Sequence, residues 1–121
     1  MVIKKFEDII AWQKSQELAE LVYNLFRDNK DFRFKNQICS AAVSISNNIA
    51  EGFDRSSAKD FIRFLYIALA SSSEVKSMLY LAIRLNYISQ IEFEKLKTIN
   101  IEISKIINGL IKSIRISNRK Y

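Results

Sequence analysis

The chain has no proline and only two glycines, Gly52 and Gly109, in 121 residues. Proline breaks helices by removing an amide donor and crowding the preceding turn, and glycine is the residue that most often stops them. A chain this poor in both has few places to break, so it must be built from long helices joined by short turns. Apolar residues make up 49% of the sequence, enough for a core. The length suits a single domain spanning residues 1–121.

Each helix can be placed by its pattern. Asp8 is the expected N-cap of the first, with Ile9 opening the apolar stripe that continues through Ala11, Leu18, Val22 and Leu25. Trp12, the single tryptophan, lies beside that stripe as an expected core or interface anchor. Asp28 to Asp31 reads as a turn. The second helix runs from about Phe34 to Glu51, with Ile38, Ala41, Ala42, Ile45 and Ile49 on one face.

That helix ends in the densest polar cluster of the apolar pattern, Ser44 to Gly52. Gly52 is expected to stop the helix in the left-handed conformation, which glycine adopts without a Cβ clash. Asn48 and Glu51 are expected to satisfy neighbouring backbone groups or the third helix. Small residues at 39–44 and again at 70–73 are expected to face one another and bring two backbones close.

Ser57 and Asp60 have the form of a capping box for the third helix, which carries Phe61, Leu65, Ala68, Val75 and Leu79 at helical steps up to Asn86–Tyr87. The fourth start signal is the clearest: Ser89 as N-cap, Glu92 returning the bond, Ile88 and Phe93 as the staple. Phe93, Leu96, Asn100, Ile103, Ile107, Leu110 and Ile114 then form a heptad seam with one polar member. Ile99, Ile101, Ile106 and Ile111 make this helix apolar on more than one face, which points to a subunit interface beyond the intramolecular core. The fold class is all-α, an antiparallel up-down-up-down four-helix bundle.

The chemistry is restricted. There is no histidine, the usual general base and commonest metal ligand. The one cysteine, Cys39, sits among small apolar residues where packing is its expected role. No glycine-rich phosphate loop occurs, and the serines have no evident base partner. Glu51 and Glu74 could form a carboxylate pair, but structural hydrogen bonding is the simpler role. The expectation is a non-enzyme with no cofactor and no metal. No apolar run reaches the length of a membrane span and residues 1–8 lack the apolar core of a signal peptide, so no membrane partner is expected and the cytoplasm is the default location.

Net charge is +6, and its distribution is uneven. Residues 1–60 carry nine basic and nine acidic side chains, whereas residues 61–121 carry ten basic and four acidic. After Glu102 no acid follows, while Lys105, Lys112, Arg115, Arg119 and Lys120 accumulate. With Arg63 and Arg84 these are the candidate phosphate contacts for an anionic partner, RNA or DNA. Basic side chains also suit a helix C-terminus for dipole reasons alone.

The residues resemble a known family across nearly the whole chain: the small bacterial four-helix bundle proteins first named from reading frames in intervening sequences of 23S ribosomal RNA genes. Phe6-Glu7-Asp8-Ile9 followed by Trp12-Gln13 is similar to the family's opening. Asn48-Ile49-Ala50-Glu51-Gly52 is its most distinctive string, and Ser72-Ser73-Glu74 continues the likeness in the third helix. The family's prolines before the second helix and near the motif asparagine are absent here. The resemblance implies assembly into a homo-oligomeric ring, with a pentamer favoured. It also implies similarity to accessory proteins of diversity-generating retroelements, which bind nucleic acid. Two functions are therefore expected: a basic oligomer that binds nucleic acid, structured RNA favoured, or a scaffold that docks a protein partner through the oligomer surface.

Overall fold

The computed structural model describes residues 3–117. Among them are a short 3-10 turn, Phe6–Asp8, and four α-helices: α1 Ile10–Leu25, α2 Phe32–Phe53, α3 Ala58–Arg84 and α4 Gln90–Ser117. Each helix packs on its neighbours in sequence, and α1 also packs on α4, which closes the bundle.

Side-chain pairs fix the directions. Asp31 meets Tyr87, Gln37 meets Glu74, and Ser44 meets Ser71, so α2 and α3 run antiparallel. Phe26 with Phe34 and Gln16 with Ser46 give the same result for α1 and α2. Tyr80 with Phe93, Ser72 with Asn100 and Tyr66 with Arg115 do so for α3 and α4. Buried side chains from all four helices form one cluster, with Leu18, Ile45, Leu65 and Ile107 among those wholly out of water.

The caps explain most boundaries. Asp31 Oδ1 accepts from the Phe34 amide, so α2 begins two residues earlier than the apolar pattern indicates. Ser57 Oγ accepts from the Asp60 amide at 3.1 Å. The Ser89–Glu92 box is complete, with the Glu92 amide donating to Ser89 Oγ at 3.1 Å and the Ser89 amide to Glu92 Oε1 at 2.8 Å. Asn86 at φ 61° takes the left-handed position after α3. There the Tyr87 amide donates to Ala82 O and the Asn86 amide to Ile83 O, the double bond of a Schellman stop with asparagine in place of glycine.

Three expectations are corrected. Asp8 does not cap α1, because the residues before it coil into the 3-10 turn and Ile9 becomes the N-cap position. There the Gln13 side chain reaches back to Glu7 O at 2.8 Å, and the Trp12 ring stands edge-on to Phe6 at 5.3 Å. Leu110 is not the seam residue of α4; Ile111 is buried in its place. A straight helix repeats every 3.6 residues, so a strict heptad drifts about 20° per seven residues and leaves the buried face by Leu110, roughly five turns from Phe93.

Gly52 is the third correction. It lies inside α2 with ordinary helical φ, and the helix continues through Phe53 to an Asp54 cap. Its requirement comes from α3. A Cβ built at Gly52 would stand 2.5 Å from Phe64 Cβ and 3.2 Å from Phe61 Cδ1. The missing side chain is what lets the two helices approach.

Candidate nucleic-acid interface

Helices α3 and α4 leave a shallow groove on their solvent side, formed by three adjoining clefts. The first, about 130 Å³, is lined by Ser73, Lys76, Ser104, Lys105 and Asn108 above buried Ser72 and Asn100. The second, about 300 Å³, runs from Asn108 past Tyr66 and Lys112 to Arg115. The third, about 330 Å³, continues from Arg115 to Lys59 and Ile62. Shared Asn108 and shared Arg115 make them one run. From Lys59 to Lys76 it follows α3 for roughly 25 Å by helical rise.

Five cations line this run and no carboxylate does. The reason lies in where the acids of the second half are engaged. Glu74 accepts from Gln37 on α2. Glu92 closes the α4 capping box. Glu94 pairs with Lys97 near the start of α4, and Glu102 pairs with Lys14 on the α1 side. Hydrogen bonding and charge from Glu102 push the Lys14 ammonium above its ordinary value. Among the described residues Lys76, Lys105 and Lys112 have no carboxylate within ion-pair distance. Arg115 is held differently: its Nη2 donates to Tyr66 OH at 2.9 Å and its guanidinium lies 5.5 Å from the Tyr66 ring centre.

The sequence-derived set divides against this geometry. Lys105, Lys112 and Arg115 come together in the groove. Arg119 and Lys120 lie outside the described residues. Arg63 pairs with Asp60 at 3.5 Å and stacks on Phe64, which Arg55 also covers, toward the α2 side. Arg84 sits in the last turn of α3, 18 residues and roughly 27 Å of helix from Tyr66. Lys59, Lys76 and Tyr66 are the groove residues that charge counting along α4 missed, because they belong to its neighbour.

The motif cluster lies elsewhere. Asn48 Nδ2 donates to Ser44 O at 2.8 Å and Ser44 Oγ at 2.9 Å, and Ser44 Oγ accepts from Ser71 across the α2–α3 seam. Asn48 thus satisfies its own helix, as expected of it, and reaches α3 through Ser44. Glu51 does not act with it: it is exposed and meets Arg55 at 3.4 Å. Gln37, the Glu74 partner, is 14 residues from Glu51 along α2, about 21 Å, so the two glutamates form no carboxylate pair. Burial pushes the Cys39 thiol up, which suits packing. Among the described residues no group of acidic, cysteine or histidine side chains could hold a metal, and no helix is long and apolar enough to cross a membrane.

The fold and groove define a four-helix bundle with a basic groove between α3 and α4. The family model for 23S rRNA-intervening sequence proteins matches residues 7–109, and the chain belongs to that family. The chain is also similar to a crystallised protein of unknown function from the S23 ribosomal protein family of Bacteroides thetaiotaomicron. The two share 34% identity over 85% of this chain and 99% of that one, with a TM-score of 0.80. Comparison with curated proteins finds no match.

Proposed function

We propose that this protein is a non-enzymatic nucleic-acid-binding bundle, with RNA its favoured partner, and that the α3–α4 groove is its contact surface. The observation that supports this most is the acid-free run of Lys59, Lys76, Lys105, Lys112 and Arg115. Unpaired ammonium groups on one face release counterions from a phosphate backbone, and that release supplies most sequence-independent affinity. Tyr66 holds Arg115 in place, so less side-chain freedom is lost when the guanidinium meets a phosphate.

The test is binding of RNA by fluorescence anisotropy over a salt series. Changing Lys76, Lys105, Lys112 and Arg115 together to Gln should reduce the slope of log affinity against log salt by about 3 to 4. An unchanged slope would refute the groove as the contact surface.

A second reading, self-association or docking of a protein partner, rests on a separate feature. Ile3, Ile9, Ile10, Ile106 and Leu110 line an open groove of about 510 Å³ between the start of α1 and α4. Gly109 lines it too, with nothing within 4 Å of where its Cβ would be. A second subunit could cover this surface, and we propose a homo-oligomeric ring, a pentamer favoured, in which it does. Native mass spectrometry of the wild type and of Leu110→Asp checks this: the wild type should be multimeric and the variant should fall toward monomer.

A further inference from the structure

We propose that the cleft between Lys76 and Lys105 is a seat for a single phosphate group, the anchoring point of the groove. This deepens the nucleic-acid reading and depends on it only for where the phosphate comes from.

The floor of the cleft is rigid and internally satisfied. Ser72 and Asn100 are each 1% exposed. Asn100 Nδ2 donates to Ser72 O at 2.9 Å, and the Ser72 hydroxyl donates to Asn100 Oδ1 at 2.9 Å. That uses the one Ser72 proton. The 2.8 Å contact between Ser72 and Ser104 hydroxyls must therefore use the Ser104 proton. The network points inward and ties α3 to α4, so the rim residues keep a fixed spacing.

The rim carries donors and no negative charge. Lys76 and Lys105 face the opening from opposite helices. Ser73 brings a hydroxyl. Asn108 Nδ2 gives one N–H to Ser104 O at 3.0 Å and has a second to offer. Two lysines, a serine and an asparagine line about 130 Å³ with no carboxylate among them. That space holds several waters or one tetrahedral anion, and charge-assisted hydrogen bonds favour the anion. The neighbouring cleft is more than twice as large, at about 300 Å³ with Tyr66 at its side. It suits a looser contact with the adjoining chain of a polyanion.

The first arm of the test titrates inorganic phosphate into ¹⁵N-labelled protein, against chloride at matched ionic strength. Amide signals of Ser73, Lys105 and Asn108 should shift saturably. Lys76→Gln with Lys105→Gln should abolish saturation, while Lys112→Gln with Arg115→Gln should retain it, with both variants folded by circular dichroism. Shifts that never saturate, or saturation that survives loss of both cleft lysines, would overturn the seat.

The second arm measures a short single-stranded RNA. Each cleft lysine should cost about tenfold in affinity, the scale of a hydrogen bond to a charged group, and Lys112→Gln clearly less. Equal losses at all positions would overturn the anchor while leaving the nucleic-acid reading standing. Saturable phosphate without RNA binding would do the reverse, supporting the seat for free phosphate or a small phosphate ester and removing the nucleic acid.

Discussion

Along its α2 side, α3 meets small residues at two places: Ser71 donates to Ser44, and buried Gly52 lies so close to Phe64 that no Cβ would fit. Along its α4 side it meets a buried asparagine held twice by Ser72, whose hydroxyl is in turn met by Ser104. The first seam works by closeness, which dispersion rewards and which leaves no room for a guest. The second works by pairing, since Asn100 is satisfied only in one register. The second leaves clefts with polar walls on its outer edge. The groove is thus a by-product of how α3 and α4 are joined.

Breaking the pairing should have the largest effect. Asn100→Ala leaves Ser72 with Ser104 alone and opens a void, and should lower unfolding free energy by about 2–4 kcal/mol in urea melts. Breaking the closeness comes next. Gly52→Ala gains about 1 kcal/mol of helix propensity but must push Phe64 aside, for a net loss of about 1–2 kcal/mol. A stabilised Gly52→Ala protein would show that the α2–α3 seam has slack. Asn48→Ala touches the close-packed seam only through Ser44, and its cost should stay below about 1 kcal/mol. Glu51→Ala, on the solvent side of the same motif, should move stability by less than about 0.5 kcal/mol.

A pH series sharpens the comparison at the end of the bundle where α2 starts and α3 stops. The Tyr87 hydroxyl donates to Asp31 Oδ2 at 2.6 Å. That bond, with the Phe34 amide behind it, holds the Asp31 carboxyl below its ordinary value, and the same bond raises the Tyr87 phenol. Asp31 adds stability above the ordinary carboxylate range, lost as pH falls through its folded value. Tyr87 adds stability below the ordinary phenol range, lost as pH rises through its own. The bond therefore contributes in full between about pH 4 and 10 and fades outside that window, and Tyr87→Phe should flatten the stability profile at both ends.

Much of the fold was legible because its signals are local. Ser57 and the Ser89–Glu92 box cap from within four residues, and the apolar steps of α2 and α3 name their buried faces. The misreadings came from distance. Gly52 looked like a stop because its true constraint, Phe64, is on another helix. Leu110 stood in for Ile111 because a heptad template ignores the drift of a straight helix. Lys105, Lys112 and Arg115 could be read from charge along α4. Lys59, Lys76 and Tyr66 could not, because no residue in α4 states which turn of α3 lies beside it. Asn100 was visible as a lone polar seam residue; its partners were not.

The turn between α3 and α4 bears on the order of folding. The Asn86 stop and the complete Ser89–Glu92 box lie within a dozen residues and need nothing from the rest of the chain. Contacts so near in sequence form before distant ones because little loop entropy opposes them. The α3–α4 hairpin is the expected nucleus, with φ-values at Phe93 above those at Ile45. On this order Asn100 sets the register of two helices before α1 and α2 arrive, and the Tyr87–Asp31 bond marks the docking of the second hairpin onto the first.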